Sequence, residues 1–213
     1  SRIAGELGVD AVVHGTVMRA ADRVRITVEL VHGASDSYLW SGQWERGLHD
    51  VLVLQSEIAR AVAAEVKATL TPGETRRFDK AGLIDGAAYD AYLRGRFFWN
   101  QRSRDGLLRS IEYYRQAIAR EPRFAVAHAA IAEAYGPFGY LGFIAPSEST
   151  PAMKPAATSA LEIDGDLVEG LTALGACAAF HEWRWSEGEE HFRRAIALNP
   201  NYVLAYLWYG LLL

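Results

Sequence analysis

Apolar and polar residues alternate in the first third of the chain and then change period. Val24, Ile26, Val28 and Leu30 fall on one side of an extended segment, with Arg25, Thr27 and Glu29 on the other. A period of two marks a half-buried strand. Residues 11–18 read as its partner, and residues 20–23 are short enough to join the two as a hairpin. A third strand is expected over 38–44, after a turn at 33–36. From 50 to 70 the spacing becomes helical: Val51, Leu54, Ile58, Ala61, Val62 and Val66 share one face, and Asp50 is placed to cap it. Residues 2–7 read as the last turns of an earlier helix. Thr71-Pro72-Gly73 breaks the pattern and opens a stretch, 71–86, that reads as a linker, with Gly73, Gly82 and Gly86 and a charge cluster at Glu74, Arg76, Arg77, Asp79 and Lys80. Beyond residue 87 only helices and short loops are expected.

That second region repeats itself. Ala117-Ile118-Ala119-Arg120-Glu121-Pro122, Ala160-Leu161-Glu162-Ile163-Asp164-Gly165 and Ala195-Ile196-Ala197-Leu198-Asn199-Pro200 recur 43 and then 35 residues apart. The residues after each of these segments stay in phase. Phe124, Leu167 and Tyr202 correspond, as do Ile131, Leu174 and Tyr209, and the small residues Ala132, Gly175 and Gly210. The small residue lets two helices approach, the large one beside it fills the gap between neighbours, and Pro122 and Pro200 stop one helix before the next. Pattern and period resemble the tetratricopeptide repeat, a helix pair of about 34 residues, and the resemblance covers 87–213, about three and a half units with the fourth cut short. The departures are local. Ser103 is a good N-cap. Gly165 stands where the stop proline belongs. An insertion at 139–150 lengthens the second unit, so that Thr150-Pro151 reads as N-cap and first helical residue. Ser186 and Glu189 form a capping-box pattern.

The first region carries a second resemblance. Leu7-Gly8-Val9-Asp10-Ala11-Val12-Val13-His14-Gly15-Thr16-Val17, Asp22-Arg23-Val24-Arg25-Ile26-Thr27-Val28 and Tyr38-Leu39-Trp40-Ser41 together are similar to the small α/β domain at the amino terminus of TolB. Ala88-Tyr89-Asp90-Ala91-Tyr92-Leu93-Arg94-Gly95 resembles the usual junction from that domain into the first repeat. In that family more sheet and helix precede the Leu-Gly-Val-Asp motif, so 1–70 is expected to be a partial domain. The expected fold class is α+β: a partial small α/β domain (1–70), a linker (71–86) and an all-α solenoid (87–213). The resemblance implies a bacterial regulatory setting, since such pairs lie downstream of winged-helix DNA-binding domains, receptor-like Ser/Thr kinases and class III adenylate cyclases.

Composition narrows the classes. Of 213 residues, 50% are hydrophobic and 23% charged, which is too apolar for a disordered chain. The net charge of −4 speaks against direct contact with nucleic acid through a basic face. A single cysteine, Cys177, excludes an internal disulfide framework and a cysteine-based zinc site. No apolar run reaches the roughly 20 residues of a membrane span, and residues 1–20 lack a signal-peptide pattern. Both ends read as cut, so a segment of a larger protein is expected. The expected location is cytoplasmic, with the periplasm or envelope as the alternative.

Candidate chemistry is sparse. His181, Glu187, Glu190 and His191 suggest metal ligation, but an inverted zincin pattern needs histidine where Glu187 stands. A solvated helix face with a packed His181 is the expectation, with no metal. Cys177 reads as a buried thiol, and Trp183 and Trp185 as fillers of a turn between helices. No glycine-rich phosphate loop, catalytic pair or cofactor motif is present. What the repeat resemblance implies is a peptide-binding groove lined by the first helix of each unit: Tyr92, Arg96 and Trp99, then Glu133, then Glu169 and Thr172. The two glutamates disfavour an acidic peptide tail. The expected function is a non-catalytic protein- or peptide-binding scaffold segment of a bacterial signalling or transcription-regulatory protein. The alternatives are an inert carboxy-terminal part of a Ser/Thr kinase or adenylate cyclase, and an envelope-associated assembly module. Self-association through Tyr206, Trp208, Tyr209 and Leu212 is a further expectation.

Overall fold

A short helix, α1 (Arg2–Leu7), leads into three strands, β1 (Ala11–Ala20), β2 (Arg23–His32) and β3 (Tyr38–Gly47), followed by α2 (Val51–Glu65). The computed structural model describes residues 2–21, 23–47, 51–66, 84–140 and 142–213. The expected cap Asp50 and most of the expected linker, including Thr71-Pro72-Gly73, lie outside them. The chain divides into two units, 1–86 and 87–213.

In the first unit the strands form an antiparallel sheet in the order β1-β2-β3. Val24, Val28 and Leu30, the alternating residues of β2, are each about 5–6% exposed, and fully buried Leu54 of α2 lies with them in the core. The helix packs on β2 and β3. Val13 and Val17 of β1 pair with Leu30 and Ile26 and so share that face, yet they stay 51% and 68% exposed. Gly33 is required by close approach. A Cβ there would lie 2.6 Å from that of Ala4, and its N–H donates to the Asp10 carbonyl at 2.7 Å. The third strand runs three residues past the expected end at 44.

The second unit is helical throughout its described residues: α3 (Gly86–Trp99), α4 (Arg104–Arg120), α5 (Ala125–Tyr140), α6 (Pro146–Ile163), α7 (Val168–Ala176), α8 (Trp185–Leu198) and α9 (Val203–Leu212). Successive helices pair, α3 with α4, α5 with α6 and α7 with α8, and α9 packs on α7 and α8. Ser103 caps α4 by accepting from the Gly106 N–H at 3.1 Å. Pro122 and Pro200 each lie two residues past a helix end. Among the repeated small residues, Gly175 acts as the spacing implied and Gly210 does not; Gly95 of α3 makes a similar close approach. A Cβ on Gly175 would sit 2.7 Å from the Phe192 ring of α8, and one on Gly95 would sit 2.3 Å from the Tyr114 ring of α4. Ala132 is fully buried. Gly210 meets nothing within 4 Å.

Three local expectations are corrected. Helix α6 begins at Pro146, with Ala145 as N-cap, so Thr150 and Pro151 lie inside the helix. The proline at 146 already has the φ a first turn needs, and the Glu148 and Ser149 N–H groups bond to the Ala145 carbonyl. Helix α8 begins at Trp185, capped by Arg184 with no side-chain bond, so Ser186 lies past the cap. The Arg184 N–H is spent on the Ala178 carbonyl at 2.8 Å, which sets where the new helix starts. Finally, Trp208, Tyr209 and Leu212 pack inward on the cluster around Phe192 and Cys177. The outward apolar face of α9 is instead Val203, Tyr206, Leu207 and Leu211, each about half exposed or more. No helix among the described residues is long and apolar enough to cross a membrane.

Candidate functional site

Helix α3 carries Tyr92, Arg96 and Trp99 along one side, at the four- and three-residue spacing that brings side chains together. Tyr92 packs in an aromatic cluster, 5.8 Å from the Tyr114 ring and 5.3 Å from Phe124. Arg96 reaches from α3 to α5, where its Nη1 donates to Glu133 Oε2 at 2.9 Å. The other carboxylate oxygen of Glu133 accepts from the hydroxyl of Tyr202, the residue that caps α9. One carboxylate thus joins three helices from three different pairs. It is largely enclosed, with 10% of its side chain exposed against 33% for Arg96. Burial pushes the Glu133 carboxyl above the usual carboxylate range, against the lowering effect of the Tyr202 and Arg96 bonds. Burial likewise holds the Tyr92 and Tyr202 phenols well above their ordinary value, so both keep their protons.

Trp99 is 5% exposed. Arg96 stacks on its ring at 4.4 Å and Arg102 at 3.6 Å, and Arg102 adopts a positive φ of 50°. Cations over an indole face are attracted by its quadrupole. The indole Nε1 is buried without a hydrogen-bond partner. Glu169 on α7 is half-buried, and its charge bears on Tyr92, Glu133 and Tyr202. Thr172 does not join them. It is 3% exposed and its hydroxyl donates to the Val168 carbonyl of its own helix at 2.7 Å, so it packs.

Five of the six expected residues therefore lie in or beside one polar and aromatic cluster. Two contributors escaped the sequence reading. Tyr202 aligns with Phe124 and Leu167 as an apolar repeat position, and nothing in the pattern marks its hydroxyl as a donor. Arg102 lies in a loop outside the repeat phase.

The other candidates separate. Cys177 is 1% exposed and burial pushes its thiol up to about 12. His191 faces Glu187 at 3.9 Å. Trp183 and Trp185 do not fill a turn; they are 71% and 59% exposed.

Three helix pairs and a further helix make a helical array that resembles tetratricopeptide repeats in its pairing, with a glycine against an aromatic ring in the first and third pairs. The protein as a whole is α+β, a three-stranded sheet followed by that array. No protein-family model matches the chain. A Rhizobium meliloti (strain 1021) protein described as "Putative adenylate cyclase 3" is 32% identical over 130 residues, 61% of this chain. The chain spans only 22% of that relative's length. Similar solved structures include an Arabidopsis OM64 TPR domain, with 20% identity, TM-score 0.46, and coverage of 59% of this chain and 93% of that one. The first TPR of Spaghetti (RPAP3) bound to the HSP90 peptide SRMEEVD has 16% identity, TM-score 0.47, and coverage of 61% and 93%. The first TPR domain of human RPAP3 has 16% identity, TM-score 0.48, and coverage of 59% and 89%.

Proposed function

We propose that this chain is a non-catalytic protein-interaction segment of a larger signalling protein of the nucleotide-cyclase kind, and that it binds a peptide or partner segment beside the Arg96–Glu133–Tyr202 cluster. The observation that carries the binding reading is that cluster. Aromatic rings, two cations (Arg96 and Arg102) and two carboxylates from α3 and the loop after it, α5, α7 and the cap of α9 lie together with no nucleophile–base pair among them. The signalling context is supported by the relative described as an adenylate cyclase.

The chemistry disfavours an acidic ligand. Arg96 is committed to Glu133 and Arg102 to the face of Trp99, and Glu169 adds negative charge nearby. A neutral or basic peptide with an aromatic or aliphatic anchor fits better. The test is selection of random peptides on the full chain, repeated with Glu169→Lys. Enrichment of basic and apolar peptides, lost on Glu169→Lys, is the expected outcome. Enrichment of acidic peptides would overturn the assignment, and cyclic nucleotide formed from ATP by this chain alone would overturn its non-catalytic role.

A further inference from the structure

A cavity of about 850 Å³ lies between the α6 face bearing Thr150, Lys154 and Thr158 and the turn at 180–183. Its volume falls in the range of ligand pockets, roughly 300–1,000 Å³. It shares no residue with the Arg96–Glu133–Tyr202 cluster. Helix α7 passes into this turn through a single π-helical stretch, Cys177–His181, a feature that recurs at functional sites.

Trp183 holds the rim of that cavity in an unusual way. The Glu182 N–H donates to the Cys177 carbonyl at 3.0 Å, and the Arg184 N–H to the Ala178 carbonyl at 2.8 Å. These bonds close a helix C-terminal turn whose left-handed position normally takes glycine. Here the position is Trp183, at φ +57°. A bulky residue there is strained, and at 71% exposure the ring recovers little by packing. Folding alone therefore gives no reason for tryptophan at 183, and strain of this kind gathers at ligand clamps. Its ring meets Trp185, also exposed, edge to face at 6.4 Å. Beneath, the His181 Nδ1 is buried without a hydrogen-bond partner and lines the same cavity. The rim is charge-matched. Lys154 bonds Glu182 at 2.5 Å, and Arg184 bonds both Glu182 and Glu187.

We propose that this cavity is a second binding site, for an uncharged proline-containing peptide segment in the polyproline II conformation. Flat exposed indoles suit proline rings, and aromatic-lined grooves take such helices because the ligand is already ordered. A polyproline II backbone makes no internal hydrogen bonds, so its carbonyls accept from donors in the wall. Residues that line the cavity carry such donors, the Ser147 and Thr158 hydroxyls and the Trp183 indole N–H. The two charges that line the cavity, Lys154 and Glu182, meet each other and leave no reward for a charged ligand.

The test is calorimetric titration of the full chain with a short all-proline peptide, beside a glycine–serine peptide of equal length and cellohexaose. Saturable binding of the proline peptide alone is expected, unchanged by added salt. Trp183→Gly should weaken it about tenfold or more while leaving the melting temperature equal or higher, because glycine relieves the strained turn. Failure of the proline peptide to bind, equal binding of the glycine–serine peptide, or saturable binding of cellohexaose in its place would each overturn the proposal. So would a lower melting temperature for Trp183→Gly, which would make the ring a packing element.

Discussion

Arg96 of α3 donates to Glu133 of α5 at 2.9 Å, and the carboxylate they share with Tyr202 ties together three helices of the array. A carboxylate this enclosed depends on its partners, since removing one partner of a buried pair strands the other. Arg96→Ala should therefore cost roughly 3 kcal/mol of stability, and Glu133→Ala less, because it leaves a guanidinium that is one-third exposed. The double variant should recover part of the loss, with a coupling above about 1 kcal/mol. Urea unfolding of the four proteins measures it, and strictly additive losses would mean that the pair does not act as a unit.

Glycines at one repeat position should respond in opposite directions. A Cβ at Gly95 or Gly175 falls within 2.3 Å or 2.7 Å of an aromatic ring, so alanine at either should destabilise by about 1–3 kcal/mol through overpacking. At Gly210 nothing lies within 4 Å, and alanine should stabilise α9 by up to about 1 kcal/mol through helix propensity. Thermal melts of the three single variants decide this, and a loss at Gly210 would contradict the open surroundings.

Acid should weaken the fold through two histidines. Burial holds His181 and His191 below the ordinary imidazole value of 6.5. The unfolded chain thus takes up their protons first as pH falls, and stability present above 6.5 declines toward their folded values. Glu133, shifted upward, has the opposite sign: its contribution grows as pH falls toward its ordinary 4.5. Denaturant midpoints across this range should fall less steeply in the His181→Gln, His191→Gln double variant and more steeply in Glu133→Gln.

The outward face of α9 should make this chain associate. Val203, Leu207 and Leu211 are 74%, 53% and 50% exposed and recur every fourth residue, an apolar stripe of the kind that marks interaction surfaces. Light scattering should show mass rising with concentration, and Leu207→Glu with Leu211→Glu should abolish the rise. A constant monomer mass for the unaltered chain would refute it.

Much of this architecture was legible in the residues because periodicity is a local property. The alternation of Val24 with Arg25 required a strand half in and half out of water, whatever packs on it. The recurrence of Ala132, Gly175 and Gly210 in one phase pointed to stacked helix pairs, and at Gly175 the small residue is what lets the Phe192 ring fit. Ser103 and the prolines at 122 and 200 act within one turn of their own position, so their effect was readable as well. Partnership across distance was beyond the pattern. Tyr202 and Glu133 are far apart along the chain, and only the packing of the stacked helices brings the hydroxyl to the carboxylate. Thr172 looked like a lining residue until its hydroxyl was seen to serve its own helix. Trp183 looked like a turn filler until a left-handed backbone turned it out to solvent. The order of residues alone dictates which faces are apolar and where helices pair. Which polar groups meet is settled by the packed fold, because burial and hydrogen-bond geometry depend on neighbours that hydrophobic periodicity does not encode.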